Sequence, residues 1–219
     1  MISLIETQDG SHSILSERFG VTYHSKYGAI QESQHVFLGA GLNVVMPKLD
    51  QVRIFEMGFG SGLNAYLSLL AAQKANKSIY YEAVEAFPIS IEEAKQLNYA
   101  QQLDEDASLL EALHQAQWGE EISITPNFQL LKWQQTLEEA TLKGGYDVVF
   151  YDAFGPRTQP ELWEREPFQQ LYDAMNTDGV LVTYCAKGVF KRNLKDIGFK
   201  VEGLPGPPGK REMTRAFKS

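Results

Sequence analysis

The stretch Glu56-Met57-Gly58-Phe59-Gly60-Ser61-Gly62-Leu63-Asn64 decides the fold. It follows an apolar run, VRIFEM (52–57), that reads as a buried strand, and it leads into LNAYLSLLAAQKAN (63–76), which reads as a helix. Glycines at such a junction let the chain turn tightly and let a ligand approach main-chain N–H groups at the positive end of a helix. The spacing is Gly-x-Gly-x-Gly, with Leu63 where a dinucleotide fingerprint needs its last glycine, so NAD binding is disfavoured. Glu56, two residues before the first glycine, suits instead a ligand with an amino group near the turn, such as the methionine part of S-adenosylmethionine.

Outward from this junction, strand-like and helix-like runs alternate, the pattern of an α/β protein with a mostly parallel, doubly wound sheet. SIYYEAVEAF (78–87) is the second strand, with Pro88 opening the next helix at its first position. FQLL (128–131) is the third, followed by a short helix ending near Gly144 and Gly145. YDVVFYDAF (146–154) is the fourth, apolar enough for burial on both faces. After the loop GPRTQPE, ELWEREPFQQLYDAMN (161–176) reads as helical despite Pro167. GVLVTYCA (179–186) is the fifth strand, and KGVFKRNLKDIG is a helix closed by Gly198. FKVEGLPG and REMTRAFK form a terminal antiparallel hairpin around GPPGK. Residues 1–50 lie outside this rhythm and read as an N-terminal appendage with β-like pieces, GVTYHS and HVFLG; residues 100–121 carry no clear pattern.

Two more acids stand at strand ends. Glu85 closes the second strand, where a carboxylate can accept both hydroxyls of a ribose. Asp152 closes the fourth. The carboxyl ends of strands one, two and four converge on the switch point of a doubly wound sheet, so Glu56, Glu85 and Asp152 are expected to line one pocket. Such a pocket suits a cationic sulfonium. An amine that accepts a methyl group must be neutral, and a nearby carboxylate can orient its N–H groups or take its proton; Asp152 and the Phe154-Gly155-Pro156 loop occupy that place.

The 219 residues are 43% apolar, 11% aromatic and 22% charged, a globular composition that excludes disordered and fibrous classes. No run approaches the length of a membrane span, and the N-terminus lacks a secretory pattern, so a cytoplasmic location is expected and a membrane partner is not. Cys185 has no second cysteine to pair with, and His12, His24, His35 and His114 show no ligand spacing, so neither a disulfide nor a metal is expected. The net charge of −8 is uneven: residues 187–219 hold nine Lys/Arg against three acids, a distribution compatible with docking a polyanion at one end.

EMGFGSGLN, YDAFGPRTQPELW, GFKVEGLPGPPGKREMTRA and YHSKYGAIQESQHVFLGAGL (23–42) together resemble the methyltransferase domain of the MnmC family of tRNA wobble-uridine modification enzymes, which includes stand-alone MnmD-type proteins. The resemblance covers the chain from about Phe19 to Ala216. It implies a class I, Rossmann-like S-adenosylmethionine-dependent methyltransferase domain over residues 51–219, which converts 5-aminomethyl(-2-thio)uridine at the wobble position to the 5-methylaminomethyl form. By motif, Glu56, Gly58, Gly60, Gly62 and Asn64 would hold the methionine end of the cofactor and Glu85 its ribose. Asp152 and Phe154 would face the acceptor amine, with Pro156 beside them. Tyr23, Glu32 and Ser33 would lie by the cofactor or the flipped base, and Lys210 and Arg211 would contact the tRNA anticodon loop. Where the family places a Gly-Asp pair after the third strand, this chain reads Leu131-Lys132-Trp133-Gln134, which leaves adenine to Trp133 or to backbone groups. Trp163 is a candidate stacking platform for a base. The length leaves no room for the family's flavin-dependent oxidase domain, so no flavin is expected, nor is an obligatory protein partner evident. The residues also leave open a methyl- or aminopropyltransferase acting on a small polyamine-like amine, for which a pocket mouth lined by acids would be the sign, and a non-catalytic scaffold that keeps the cofactor fold.

Overall fold

The computed structural model describes residues 3–219. Its centre is an eight-stranded sheet. Five parallel strands carry it: β4 (Gln51–Met57), β5 (Ser78–Val84), β7 (Phe128–Trp133), β8 (Tyr146–Tyr151) and β9 (Met175–Thr183). Three antiparallel strands finish the two edges: β6 (Glu121–Thr125) beside β7, and the hairpin of β10 (Phe199–Pro205) and β11 (Glu212–Lys218) beside β9. The order is β10-β11-β9-β8-β4-β5-β7-β6, so the winding reverses at β4, whose neighbours are β5 and β8. The five strands expected from sequence and the terminal hairpin are all present.

Alternation along the buried strands divides the interior between two faces. Val52 and Ile54 of β4 enter one core, under α3 (Leu63–Ala75). Phe55 and Met57 enter the other, beneath α7 (Arg165–Ala174) and α8 (Gly188–Ile197). Pro167 falls in the first turn of α7, where its missing N–H costs no helical hydrogen bond.

The N-terminal part holds a small antiparallel sheet of β1 (Ser3–Glu6), β2 (His12–Ser16) and β3 (Val21–Thr22). HVFLG, read as β-like, is instead helical: α1 (Ala29–Ser33) runs into wide π-type turns over Gln34–Leu42 and then α2 (Asn43–Val45). Val36 and Phe37 are fully buried, and the Phe37 ring meets Phe150 of β8 at 5.4 Å. Gly41 lies so close to Val182 and Phe150 that a Cβ there would reach Val182 at 2.8 Å. Val36, Phe37 and Leu38 are consecutive and all buried, and an apolar run this short shows no helical period, so it mimics a strand.

Three further readings are corrected. Pro88 does not open a helix; Ser90 caps α4 (Ile91–Ala94) with a reciprocal Ser90–Glu93 capping box. The helix expected before Gly144 is a set of turns, among them one in which the Glu139 carboxylate accepts from the Thr136 N–H and hydroxyl. The unassigned segment 100–121 holds most of α5 (Tyr99–Leu103) and all of α6 (Ala107–Gln115).

Candidate functional site

The carboxyl ends of β4, β5 and β8 meet in a cleft. The glycine turn forms its floor. Gly58, Gly60 and Gly62 all have positive φ. At Gly58 (φ +89°) the strand leaves β4 so close to the next strand end that a Cβ would stand 3.0 Å from the Asp152 carbonyl oxygen. The Gly58 N–H donates to the Val84 carbonyl (3.0 Å), and the Asp152 N–H to the Met57 carbonyl (3.1 Å), so the three strand ends are tied by main chain before any side chain acts.

Asn64, in the first turn of α3, joins two of the acids. Its Nδ2 donates to Glu56 Oε1 (2.8 Å) and to Asp152 Oδ2 (2.9 Å). Its own Oδ1 and Glu56 Oε2 are buried without a partner in the protein. Asp152 borders the cleft. Burial first, then the Glu32 charge, pushes its carboxyl well above the usual range, against the pull of the Asn64 N–H and Lys210. Burial does the same to Glu56. Glu85 lies at the cleft wall with the Gly60 N–H on Oε2 (3.0 Å) and the Phe87 N–H on Oε1 (2.8 Å). Burial raises its pKa despite both bonds. Each oxygen keeps a lone pair, so a ribose can still be accepted there.

Aromatic rings close the opening. Phe154 packs on Phe19 (4.8 Å between centroids) and on Tyr23 (5.3 Å, edge to face), and Phe19 reaches Phe87 at 6.0 Å. Phe87 is 45% exposed and carries the Arg18 guanidinium 3.8 Å above its ring. Burial and the charges of Glu85 and Glu93 push the Tyr23 phenol up to about 12, so it remains protonated. His24, also on the wall, is brought down to about 4 by burial and is neutral.

The structure thus gathers Gly58, Gly60, Asn64, Glu85, Asp152, Phe154 and Tyr23 around one cleft, and it separates the others. Glu56 is 1% exposed and lies beneath Asn64, off the cleft wall. Gly62 shapes the turn from behind, facing His114. Trp133 is turned to the far core, with its indole N–H on Glu82 Oε1 (2.9 Å), so no adenine stacks on it in the cleft. Trp163 is 5% exposed among Tyr151, Phe168 and Phe190, its N–H on the Phe154 carbonyl (2.8 Å); it supports the acceptor loop and offers no face to a base. Pro156 stands outside the lining. Ser33 is wholly buried with an unpartnered hydroxyl. Glu32 is buried and paired with Lys210 (2.6 Å), whose Nζ also lies 3.7 Å over the Tyr184 ring, so Lys210 is committed within the protein and only Arg211 of that pair is exposed. Phe19, His24, Ser61, Phe87 and Gln159 line the cleft without having been anticipated; Phe19 and His24 lie close to Tyr23 in the chain, and Phe87 follows the Glu85 strand end.

The residues present fit a cofactor with cationic and ribose groups: turn glycines with no side chain to block its approach, an unpartnered Asn64 oxygen, and two acids on the wall. Among the described residues no group of His, Cys, Asp and Glu could hold a metal ion, and no helix is long and apolar enough to cross a membrane. The chain is 32% identical to the tRNA 5-methylaminomethyl-2-thiouridine biosynthesis bifunctional protein MnmC of Cupriavidus necator, over 92% of this chain and 32% of that protein. It is 30% identical to the protein of the same name from Paracidovorax citrulli, over 91% of this chain and 33% of that one. It spans about a third of the length of these curated relatives. The crystal structure of MnmC2 from Aquifex aeolicus superposes with a TM-score of 0.78 over 100% of this chain and 70% of that one, at 23% identity, and so shares the fold. A profile of S-adenosyl-L-methionine-dependent methyltransferases matches residues 77–219. The doubly wound sheet, the glycine turn and this match together place the chain in that family of S-adenosyl-L-methionine-dependent methyltransferases.

Proposed function

We propose that the protein is an N-methyltransferase that converts 5-aminomethyl(-2-thio)uridine at the tRNA wobble position to 5-methylaminomethyl(-2-thio)uridine. The observation that carries this reading is Asp152, held by Asn64 at the cleft wall directly beside the Phe154–Tyr23–Phe19 aromatic group. A carboxylate for an amine and rings for a splayed base are the two needs of such a substrate.

Bound in the cleft, the cofactor supplies an electrophilic methyl group. Asn64 and the backbone of Gly58–Gly60 receive its methionine end, and Glu85 accepts the ribose hydroxyls. Asp152 orients the acceptor amine and takes the proton that the amine must shed. Its raised affinity for a proton, a consequence of burial, matches that task. Phe154 and Tyr23 exclude water and hold the base. Exposed Lys187, at the start of α8, and Arg211, in the β10–β11 turn, stand at the carboxyl edge of the sheet and provide phosphate contacts, and the name of the relatives, which specifies tRNA, supports that partner.

Transfer of labelled methyl from S-adenosylmethionine to tRNA from cells lacking this protein, followed by nucleoside mass analysis, tests the reading. A gain of one methyl on 5-aminomethyl(-2-thio)uridine is expected. Cofactor binding without incorporation into tRNA, together with methylation of free polyamines, would replace it.

A further inference from the structure

Glu56 is on the α3 side of the sheet because strand side chains alternate, and it follows Val52 and Ile54 onto that face. The glycine turn begins two residues later, after the chain has left β4, so the carboxyl stays under the first turn of α3 and not in the cleft. Its one well-formed hydrogen bond is from Asn64, and the Tyr81 hydroxyl is its other polar neighbour. An Asn amide has two N–H groups. Here one goes to Glu56 and the other to Asp152, which fixes the orientation of the amide and leaves Oδ1 as an acceptor for a ligand N–H.

Two carboxyls that share one nitrogen at 2.8 and 2.9 Å, Glu56 buried and Asp152 half-buried, cannot both carry charge cheaply. Burial dominates at Glu56; the charged groups acting on it are Asp152 and Glu85, both acids, while hydrogen bonding from Asn64 and the Tyr81 hydroxyl pulls the other way. Asp152 feels the Glu32 charge ahead of the opposing Lys210, but it is only half-buried and borders the cleft where a cationic cofactor would sit, whereas Glu56 is 1% exposed and lies off the cleft. The negative charge therefore belongs on Asp152.

We propose that Glu56, although it stands at the position where the sequence suggests a cofactor ligand, is a positioning residue that pins the Asn64 amide from below and leaves the pair's single charge on Asp152. The assignment rests on the proposed role of Asp152 toward an amine, since that role is what the pinning serves.

Three measurements on the full chain test it. Calorimetry with S-adenosylmethionine compares wild type with E56Q, whose amide oxygen still accepts from Asn64. An affinity within about fivefold of wild type is expected, whereas a larger loss, the result for a charged ligand to the methionine ammonium, overturns the proposal. Infrared difference spectra between wild type and E56Q at neutral pH should show the C=O stretch of a buried protonated carboxyl that vanishes in E56Q; its absence from wild type also overturns it. In methyl transfer, E56A should lower kcat by about tenfold or more with KM for S-adenosylmethionine nearly unchanged, and E56Q should restore most of it; a loss carried by KM in E56A, or no rescue by E56Q, counts against positioning. Should E56A fail to fold, the first two measurements decide alone. They need no tRNA, so a wild-type protein that binds cofactor but methylates no tRNA would sink the proposed substrate and leave the Glu56 assignment to be judged separately.

Discussion

At the scale of single residues, the site works through groups whose usual chemistry is altered by burial. Asp152→Asn keeps the hydrogen-bond geometry but removes the proton acceptor, and kcat is expected to fall by about 10² or more while cofactor affinity changes little, as single-turnover kinetics and calorimetry would show. The same residue sets a pH limb. Activity needs the carboxylate, and the folded protein holds Asp152 well above the ordinary carboxylate range, so the rate should fall on acidification at a higher pH than a solvent-exposed aspartate would give. A pH–rate profile flat down to the ordinary aspartate value would contradict this. Gly58→Ala puts a methyl group into a left-handed conformation (φ +89°) and 3.0 Å from the Asp152 carbonyl. Because a backbone atom is in the way, the acceptor loop must shift, and a cost of about 1–3 kcal/mol, with weakened cofactor binding, is expected in thermal melts and titrations.

At the scale of elements, the terminal hairpin is fastened across the molecule to α1. Lys210, in the β10–β11 turn, pairs with Glu32, which also accepts from the Ser25 N–H (2.9 Å). The glutamate is 7% exposed and the lysine 32%, so the pair lies between the buried and surface regimes. Lys210→Met leaves an uncompensated carboxyl in the interior, and a loss of about 1–3 kcal/mol is expected in denaturant melts. The double variant Lys210→Met/Glu32→Gln should regain most of it; a double variant no more stable than the single one would show that the charge pairing is not the cause. Elements also explain where sequence reading failed. The run Val36–Leu38 is buried against α3 and the sheet, and so short an apolar run has no period from which to tell helix from strand.

At the scale of the whole molecule, burial of two histidines couples folding to pH. His24 and His114 both sit at about 4, lowered chiefly by burial, and His114 Nε2 lies 3.0 Å from the Ser61 carbonyl of the glycine turn. A folded pKa below the unfolded value of about 6.5 means that the unfolded chain binds protons first. Their contribution is therefore complete above about pH 6.5 and is lost as pH falls toward 4, by about 3 kcal/mol for each residue. Melting temperature should drop across that window, and His114→Gln should flatten the drop; an unchanged slope would show that other groups carry the acid sensitivity.

The order of the five parallel strands, the glycine turn and the acids at three strand ends were legible in the chain itself, because strand and helix periods and the demands of a tight turn are local properties of sequence. These local signals suffice for the doubly wound sheet and for placing Glu85 and Asp152 at the edge of one cleft. They do not say which way a side chain points once strands are paired. Only the packed sheet decided that Glu56 turns beneath Asn64, that Trp133 faces Glu82 in the far core, that Trp163 is enclosed by rings, and that Lys210 is spent on Glu32. Only the tertiary structure brought Phe19 from the β2–β3 turn onto Phe154, more than a hundred residues away. The physical reason is the same in each case: orientation follows from register and burial, which depend on partners that lie far off in the sequence.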